Sequence, residues 1–308
     1  MAKKVMIDCD VGVDDALALI LAFQSPELAV EAVTGVNGNV PLDNVFTNIQ
    51  KILSLIQPKK RPLIARGAAQ PLKGHALYAH SVHGKTGLGE AKIDLKKGEE
   101  WWTLFTGPAH ELITKTARQY PGELTLIAVG PLTNLALGLQ NDLEGMKKLK
   151  GVVIMGGAIR AGGNVTPYAE FNIYVDPLAA KMVFESGLPI TLVPLDATHQ
   201  VFLTPRWMDE QVSPLHTPFS NFVIEATNYN IETHRFKNRE NIFLHDPLAV
   251  GAVIDQTLVK TERFSLQVET KEGEYYGKIS ETEEGPKINV CLGVDVERFL
   301  KLFVSGLK

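Results

Sequence analysis

The chain has 308 residues, of which 45% are apolar and 21% are charged, and its formal net charge is −4. These values are ordinary for a globular protein with a large buried core. They provide no broad basic surface, so nucleic acid is not an expected partner. No segment reaches the roughly 18 consecutive apolar residues that a membrane span requires. The two cysteines, Cys9 and Cys291, have no metal-type or disulfide-type spacing, which predicts a cytoplasmic protein.

Apolar segments alternate with helical patterns from the start of the chain. Residues 5–7 form an apolar run that predicts the first buried strand, and residues 14–23 follow as a helix that begins with carboxylates. Residues 28–36 predict a second strand, and residues 44–56 predict a second helix.

The same alternation returns in the middle of the chain. Residues 124–129, 151–155 and 190–195 are apolar and predict three more strands. Buried strands that alternate with helices are typical of an α/β fold, with a mainly parallel central sheet flanked by helices in a Rossmann-like arrangement. Since no linker or repeat divides the sequence, we expect residues 1–308 to form a single domain.

Two polar segments are predicted to be surface loops. Residues 74–89 are rich in Gly and His, and residues 227–241 combine polar, charged and aromatic side chains. Polar side chains beyond the strand ends of an open α/β sheet commonly line a ligand site. Which residues of these two loops contact a ligand is left open by the sequence.

Four aspartates lie within eight residues at the end of the first predicted strand: Asp8, Asp10, Asp14 and Asp15. Alternation along a strand places Asp8 and Asp10 on one face, and Asp14 and Asp15 open the following helix. A helix N-terminus provides only about half a positive charge, which is too little for four carboxylates. A divalent cation is therefore expected here. Ligands that are all oxygen favour calcium or magnesium over zinc.

The same residues are compatible with another enzyme class. Haloacid-dehalogenase-type phosphatases also begin with an apolar strand and two aspartates, the first of which, here Asp8, is the nucleophile. Their pattern has Thr or Val at the position of Gly12 and does not use Asp14 and Asp15. The N-terminal motif alone leaves both interpretations open.

Motifs further along the chain favour one family. They occur in the same order as in the inosine–uridine-type nucleoside hydrolases, which the sequence resembles from Asp8 to Asp246. The resemblance implies a calcium-dependent enzyme of nucleoside salvage that hydrolyses the N-glycosidic bond of ribonucleosides to ribose and free base. It also implies a homodimer or homotetramer. The motifs are the aspartate cluster, Gly38-Asn39-Val40, residues 163–172 and His245-Asp246-Pro247.

The resemblance further implies a role for individual residues. The expected metal ligands are Asp10, Asp15, Asp246 and the backbone carbonyl of Val129. The residues expected to contact the substrate, mainly the ribose, are Asp14, Asn39, Met155, Asn164, Glu170 and Asn172, with Asp8 as a supporting acid.

Three of the residues are expected to take part in the chemistry. Asp10 is expected to activate a metal-bound water, and His245, with an ordinary pKa of about 6.5, to protonate the leaving base. His83 is expected to contact the base or to assist this protonation. The alternative from another class of protein is a ribonucleoside- or sugar-binding module without catalytic activity. The nucleobase preference is open.

Overall fold

The computed structural model describes residues 2–95, 98–234 and 241–308. In this part of the chain, a ten-stranded sheet has the order β11-β10-β12-β7-β6-β5-β1-β2-β3-β4, and β8 pairs with β9 in a separate two-stranded sheet. The strands are β1 (Lys3–Cys9), β2 (Leu28–Gly35), β3 (Leu63–Arg66), β4 (Thr103–Leu104), β5 (Thr125–Ala128), β6 (Gly151–Met155), β7 (Ile190–Val193), β8 (Phe202–Leu203), β9 (Ile242–Phe243), β10 (Val259–Val268), β11 (Ile279–Glu281) and β12 (Lys287–Val294).

Helices cover both faces of the large sheet. They are α1 (Val13–Gln24), α2 (Leu42–Ile56), α3 (His80–His83), α4 (Ala109–Gln119), α5 (Thr133–Asn141), α6 (Leu143–Met146), α7 (Phe171–Val175), α8 (Pro177–Phe184), α9 (Leu195–Thr198), α10 (Pro205–Gln211), α11 (Pro218–His234), α12 (His245–Ile254) and α13 (Val296–Ser305). Short 3-10 helices are formed by Ser213–Leu215 and Gln256–Leu258.

Within the described part of the large sheet, the strands from β12 to β4 pair in parallel, and β10 and β11 are antiparallel to their neighbours. The predicted α/β fold with a mainly parallel sheet is therefore confirmed. The strands predicted near residues 5, 28, 124, 151 and 190 are β1, β2, β5, β6 and β7. Their observed ends differ from the predicted ends by a few residues, as is usual for element boundaries.

Burial on both faces explains why the central strands are continuously apolar. In β1, Val5 and Ile7 pack into the core on one face of the sheet, and Met6 packs into the core on the other face. Alternate residues of a strand point to opposite faces, so a strand covered by helices on both sides needs apolar residues throughout. Helix α1 is also apolar nearly all round, and it is buried against the sheet and α12.

One predicted loop is largely helical. Residues 227–241 were expected to form a surface loop, but α11 extends from Pro218 to His234, and residues 235–240 lie outside the described part. Val223, Ala226 and Thr227 are fully buried on this helix. In the part of the predicted loop that is helical, Thr227 is buried, whereas Asn228 and Glu232 are exposed, so a helix with one buried face explains the polar composition.

None of the described helices is long and apolar enough to cross a membrane.

Candidate active site

The predicted site residues meet at the carboxyl edge of the parallel sheet. Asp10 follows β1, Asn39 follows β2, Val129 follows β5, and Met155 is the last residue of β6. Because these four strands are neighbours in the sheet and run in parallel, their carboxyl ends lie side by side. Parallel pairing thus gathers residues that are far apart in the sequence.

Two helix N-termini bring three carboxylates together. Asp14 and Asp15 lie in the first turn of α1, and Asp246 lies in the first turn of α12, which packs against α1. One carboxylate oxygen of each residue lies within 4.8 Å of the others, a spacing that allows all three to hold one metal ion. Of the predicted metal ligands, this group contains Asp15 and Asp246, and its third member, Asp14, was predicted to contact the ribose.

Asp10 adjoins this group through Asp15 and Asn39. The backbone N–H of Asp10 donates to Oδ1 of Asp15 at 3.1 Å, and the Asn39 side-chain amide donates to Oδ2 of Asp15 at 3.0 Å. The backbone N–H of Asn39 donates to Oδ2 of Asp10 at 2.7 Å. Asn39 therefore holds the two carboxylates in fixed orientations.

Glycine is required where the chain passes closest to these side chains. A Cβ atom at Gly38 would collide with Oδ2 of Asp10, and one at Gly130 would lie 3.0 Å from Oδ1 of the same carboxylate. A Cβ at Gly12 would lie 2.6 Å from Nδ1 of His83. Since real Cβ contacts are longer, the absence of a side chain at these positions allows the loops to close around Asp10 and His83.

Burial and mutual repulsion raise the pKa values of the clustered carboxyl groups. Burial is the main cause in each case, and it raises the pKa of Asp14 and of Asp15 to about 6. The pKa values of Asp10 and Asp246 are also raised, by burial first and then by the neighbouring carboxylates. The site therefore disfavours full ionisation unless a cation compensates for the lost solvation.

The chemistry of the donor set fits a hard divalent cation. Oδ1 of Asp10 and Oδ1 of Asp14 are buried without a hydrogen-bond partner. Buried carboxylate oxygens are costly without a partner, and calcium and magnesium are bound by such oxygens. Together with the close approach of Asp14, Asp15 and Asp246, these atoms supply the ligands that a metal ion would need.

Asp8 lies behind the cluster and is held by two hydrogen bonds. Its Oδ1 accepts from Oγ1 of Thr34 at 2.6 Å and from Nδ2 of Asn134 at 2.8 Å. Burial raises its pKa to about 7. Thr34 and Asn134 were not predicted as site residues. Thr34 lies opposite Asp8 in the pairing of β1 with β2, so only the strand register identifies it.

Asn172 lies where the carbonyl groups of two strand ends converge. Its Nδ2 donates to the carbonyl of Val129 at 2.8 Å and to the carbonyl of Met155 at 3.1 Å. The side chain is buried, and its Oδ1 takes part in neither bond. The side chain of Asn172 thus links Val129 and Met155.

Glu170 acts as the N-cap of α7. It accepts hydrogen bonds from the backbone N–H groups of Gly157, Asn172 and Ile173 at 2.8, 2.9 and 3.2 Å. Burial raises its pKa, and these backbone donors oppose that effect. Asn164, in contrast, is exposed, and its Oδ1 accepts from the N–H of Phe171 at 2.9 Å. The first turn of α7 therefore organises this side of the site.

His83 is buried, although the sequence predicted a surface loop for residues 74–89. It is only 8% exposed, and its Nδ1 accepts a hydrogen bond from the backbone N–H of Val13 at 3.0 Å. Nδ1 also lies 3.9 Å from Oδ1 of Asp14. Burial lowers the pKa of His83 to about 4. Because Nδ1 accepts, the proton of the neutral ring is on Nε2.

His245 is the first residue of α12 and is half-buried. Its ring stacks on Phe243 with centroids 5.5 Å apart, and it lies 5.8 Å from the ring of His199. Nδ1 is 2.7 Å from Oγ1 of Thr198. Burial lowers the pKa of His245 from its ordinary value to about 3. Thr198, Phe243 and His199 had no recognisable sequence signal.

The fold and this site define an α/β enzyme with a carboxylate-lined centre suited to a metal ion. The sequence profile described as inosine-uridine preferring nucleoside hydrolase matches residues 5–301. A pyrimidine-specific ribonucleoside hydrolase, RihA, from Salmonella arizonae is 37% identical over 316 aligned positions, which cover 100% of this chain and 99% of that protein. The chain therefore belongs to the inosine-uridine preferring nucleoside hydrolase family.

Solved structures of nucleoside hydrolases share the fold over the whole chain. A plant nucleoside hydrolase superposes with a TM-score of 0.92 at 31% identity, covering 100% of this chain and 99% of the other. A purine-preferring ribonucleoside hydrolase from Gardnerella vaginalis superposes with a TM-score of 0.91 at 31% identity, covering 99% and 98%. The predictions of an enzyme and of ribonucleoside hydrolysis are confirmed at the level of the family, which disfavours the phosphatase alternative.

Proposed function

We propose that this protein is a calcium-dependent ribonucleoside N-glycosidase whose ion is held by Asp10, Asp15, Asp246 and the carbonyl of Val129. The observation that carries the proposal is the group of buried carboxylates at the sheet edge, with Oδ1 of Asp10 unpartnered. Bound calcium would acidify a water molecule and accept ribose hydroxyls as ligands. Asp14, at the same centre, is assigned to the ribose hydroxyls.

Asp10 is assigned as the general base. Its Oδ2 accepts the N–H of Asn39, and its Oδ1 is the oxygen available to take a proton from the attacking water. The remaining carboxylates lie where positive charge develops on the ribose as the glycosidic bond breaks, and they stabilise that charge. The same residue therefore contributes to ion binding and to proton transfer.

The ribose is assigned to a ring of amides and acids around the cluster. Amide groups both donate and accept, and carboxylates accept, so such a ring matches the hydroxyls of the sugar. A site built to bond these hydroxyls rejects sugars that lack them, because its own polar groups are then left unpaired. The residues proposed to contact the substrate are Asp14, Asn39, Met155, Asn164, Glu170 and Asn172, and Asp8 supports the cluster.

His245 is assigned to the leaving base. The lowered pKa keeps its ring neutral at neutral pH. A neutral ring donates one hydrogen bond, which stabilises the charge that builds up on the base, as for other neutral catalytic histidines. The proton reaches the base along this bond, and the ring is reprotonated from water. His83, whose Nε2 carries a proton, is proposed as a second donor to the base.

We expect His245→Ala to slow hydrolysis of uridine by roughly 10²-fold or more, within the usual contribution of a general acid. p-Nitrophenyl riboside should be affected much less, because its leaving group needs no proton. The measurement is kcat/KM for both substrates with calcium present. Equal losses on the two substrates would remove His245 from this role.

Pyrimidine ribonucleosides are the substrates that we propose. The relatives named as pyrimidine-specific are 36–37% identical to this chain over its full length, whereas the purine-preferring structural relative is 31% identical. We expect kcat/KM for uridine and cytidine to exceed that for inosine and adenosine by about tenfold or more, as contacts to a base can discriminate by this amount. Steady-state rates on the four nucleosides test this preference, and equal rates would indicate a broad enzyme.

We further propose one catalytic domain over residues 1–308, a homodimer or homotetramer, and a cytoplasmic location. In support of the cytoplasmic location, both cysteines are buried and neither forms a disulfide. Light scattering after size-exclusion chromatography measures the assembly directly.

A further inference from the structure

The hydroxyl group of Thr198 has one hydrogen-bond partner among the described residues, and this partner is His245. Oγ1 of Thr198 lies 2.7 Å from Nδ1 of the imidazole ring. Thr198 itself is fully buried, at 0% exposure. The hydroxyl therefore has no solvent to which it can donate its proton.

This isolation determines the direction of the hydrogen bond. A buried hydroxyl that fails to donate loses a hydrogen bond that it makes with water in the unfolded chain. Nδ1 of His245 is the acceptor within reach, and it accepts only when it carries no proton. The proton of the neutral ring is then on Nε2, the nitrogen that this contact leaves available.

The fold holds Thr198 and His245 next to each other. Thr198 ends the short helix α9 that follows β7, and His245 comes directly after β9 and Leu244. Between them, β8 and β9 pair with Phe202 opposite Phe243. The Phe243 ring lies nearly parallel to the His245 ring, at 27° with centroids 5.5 Å apart. Strand pairing and ring stacking thus hold the imidazole against the hydroxyl.

We propose that Thr198 is a positioning residue that fixes His245 in the tautomer with its proton on Nε2, so that this nitrogen donates to the leaving base. The inference rests on the proposed role of His245. It identifies a residue that acts through another residue and does not touch the substrate. Without this hydroxyl, the neutral ring of His245 would populate both tautomers, and the one with its proton on Nδ1 presents no donor to the base.

The test uses Thr198→Val, which keeps the shape of the side chain but removes the hydroxyl, and Thr198→Ser, which keeps the hydroxyl. With calcium present, we expect the Val variant to lose about tenfold or more in kcat/KM on uridine, a fraction of the usual general-acid contribution. Its rate on p-nitrophenyl riboside should stay within about twofold, as that leaving group needs no proton. The Ser variant should recover most of the loss on uridine.

A second measurement reads the tautomer without turnover. The ring ¹⁵N shifts of His245, assigned by comparison with His245→Gln, should show the proton on Nε2 in the wild type and a mixture in Thr198→Val. A proton on Nδ1 in the wild type, or equal losses of the Val variant on both substrates, would overturn the inference. If His245→Ala lowers kcat/KM on uridine much more than on p-nitrophenyl riboside, but Thr198→Val lowers both equally, this inference fails while the role of His245 stands. If His245→Ala affects both equally, the proposed role of His245 fails first.

Discussion

Asp10→Asn is expected to lower kcat/KM on uridine by roughly 10³-fold or more, because one change removes the proposed general base and a proposed ion ligand. Asn keeps the size of the side chain and an oxygen that accepts the N–H of Asn39, so the loop after β2 should stay in place. The amide has no proton affinity comparable to that of the carboxylate. The variant should therefore lose activity without unfolding, and its far-UV circular dichroism spectrum should be unchanged.

The matched control for this variant is Asp209→Asn. Asp209 lies on α10, is exposed and is not part of the cluster, so the same chemical change there should leave kcat/KM within about twofold, as is usual for surface substitutions. Unchanged turnover of Asp10→Asn would exclude Asp10 as the base. A wild-type protein that binds ribonucleosides and shows no turnover would instead support the alternative of a binding module.

Removal of calcium with a chelator should abolish turnover and lower the melting temperature. An ion that binds only the folded protein stabilises it by about 2.7 kcal/mol when present at 100 times its Kd, which corresponds to a rise of several degrees in Tm for a chain of this size. Re-addition of calcium should restore both. Asp246→Asn should lose most of the calcium-dependent shift in Tm, and Asp209→Asn should keep it.

The size of this calcium effect should depend on pH. Asp14 and Asp15 have pKa values of about 6 in the folded protein, above the ordinary value of 3.8. Without the ion, the stability that these groups contribute is present below pH 3.8 and is lost as the pH rises through about 6. The ion binds the ionised carboxylates, so its stabilising effect grows over the same range. Thermal unfolding with and without calcium at low and at neutral pH measures this dependence. If chelation changes neither the Tm nor the turnover, the proposed metal site is refuted.

Much of the fold was predictable because local pattern encodes it. The apolar runs of β1 and β2 and the helical pattern of α1 are properties of neighbouring residues, and periodicity identifies them without knowledge of the rest of the chain. The aspartate cluster was predictable for the same reason, since its four acids lie within one strand-to-helix connection. The helical residues 227–234 of α11 were missed because they are mostly polar, and even the buried Thr227 is polar.

The hydrogen-bond partners of the predicted site residues could not be predicted in this way. Thr34 becomes a partner of Asp8 only through the register of β1 and β2. Thr198 meets His245 only because β8 pairs with β9. A Thr in a short helix and a Thr in a strand have no local feature that marks them, so the sequence holds no signal until the pairing is known.

The sequence by itself determined the alternation of strands and helices, the acidic cluster at the end of the first strand that predicts a cation, and the resemblance that indicates the reaction. The tertiary structure alone showed how closely Asp14, Asp15 and Asp246 approach one another, that His83 is buried, and that Nδ1 of His245 lies 2.7 Å from Oγ1 of Thr198. The physical reason is the distance along the chain over which each property is set. Side-chain periodicity acts over a few residues, whereas burial, pKa and hydrogen-bond partners depend on segments that come together only when the sheet and its helices pack.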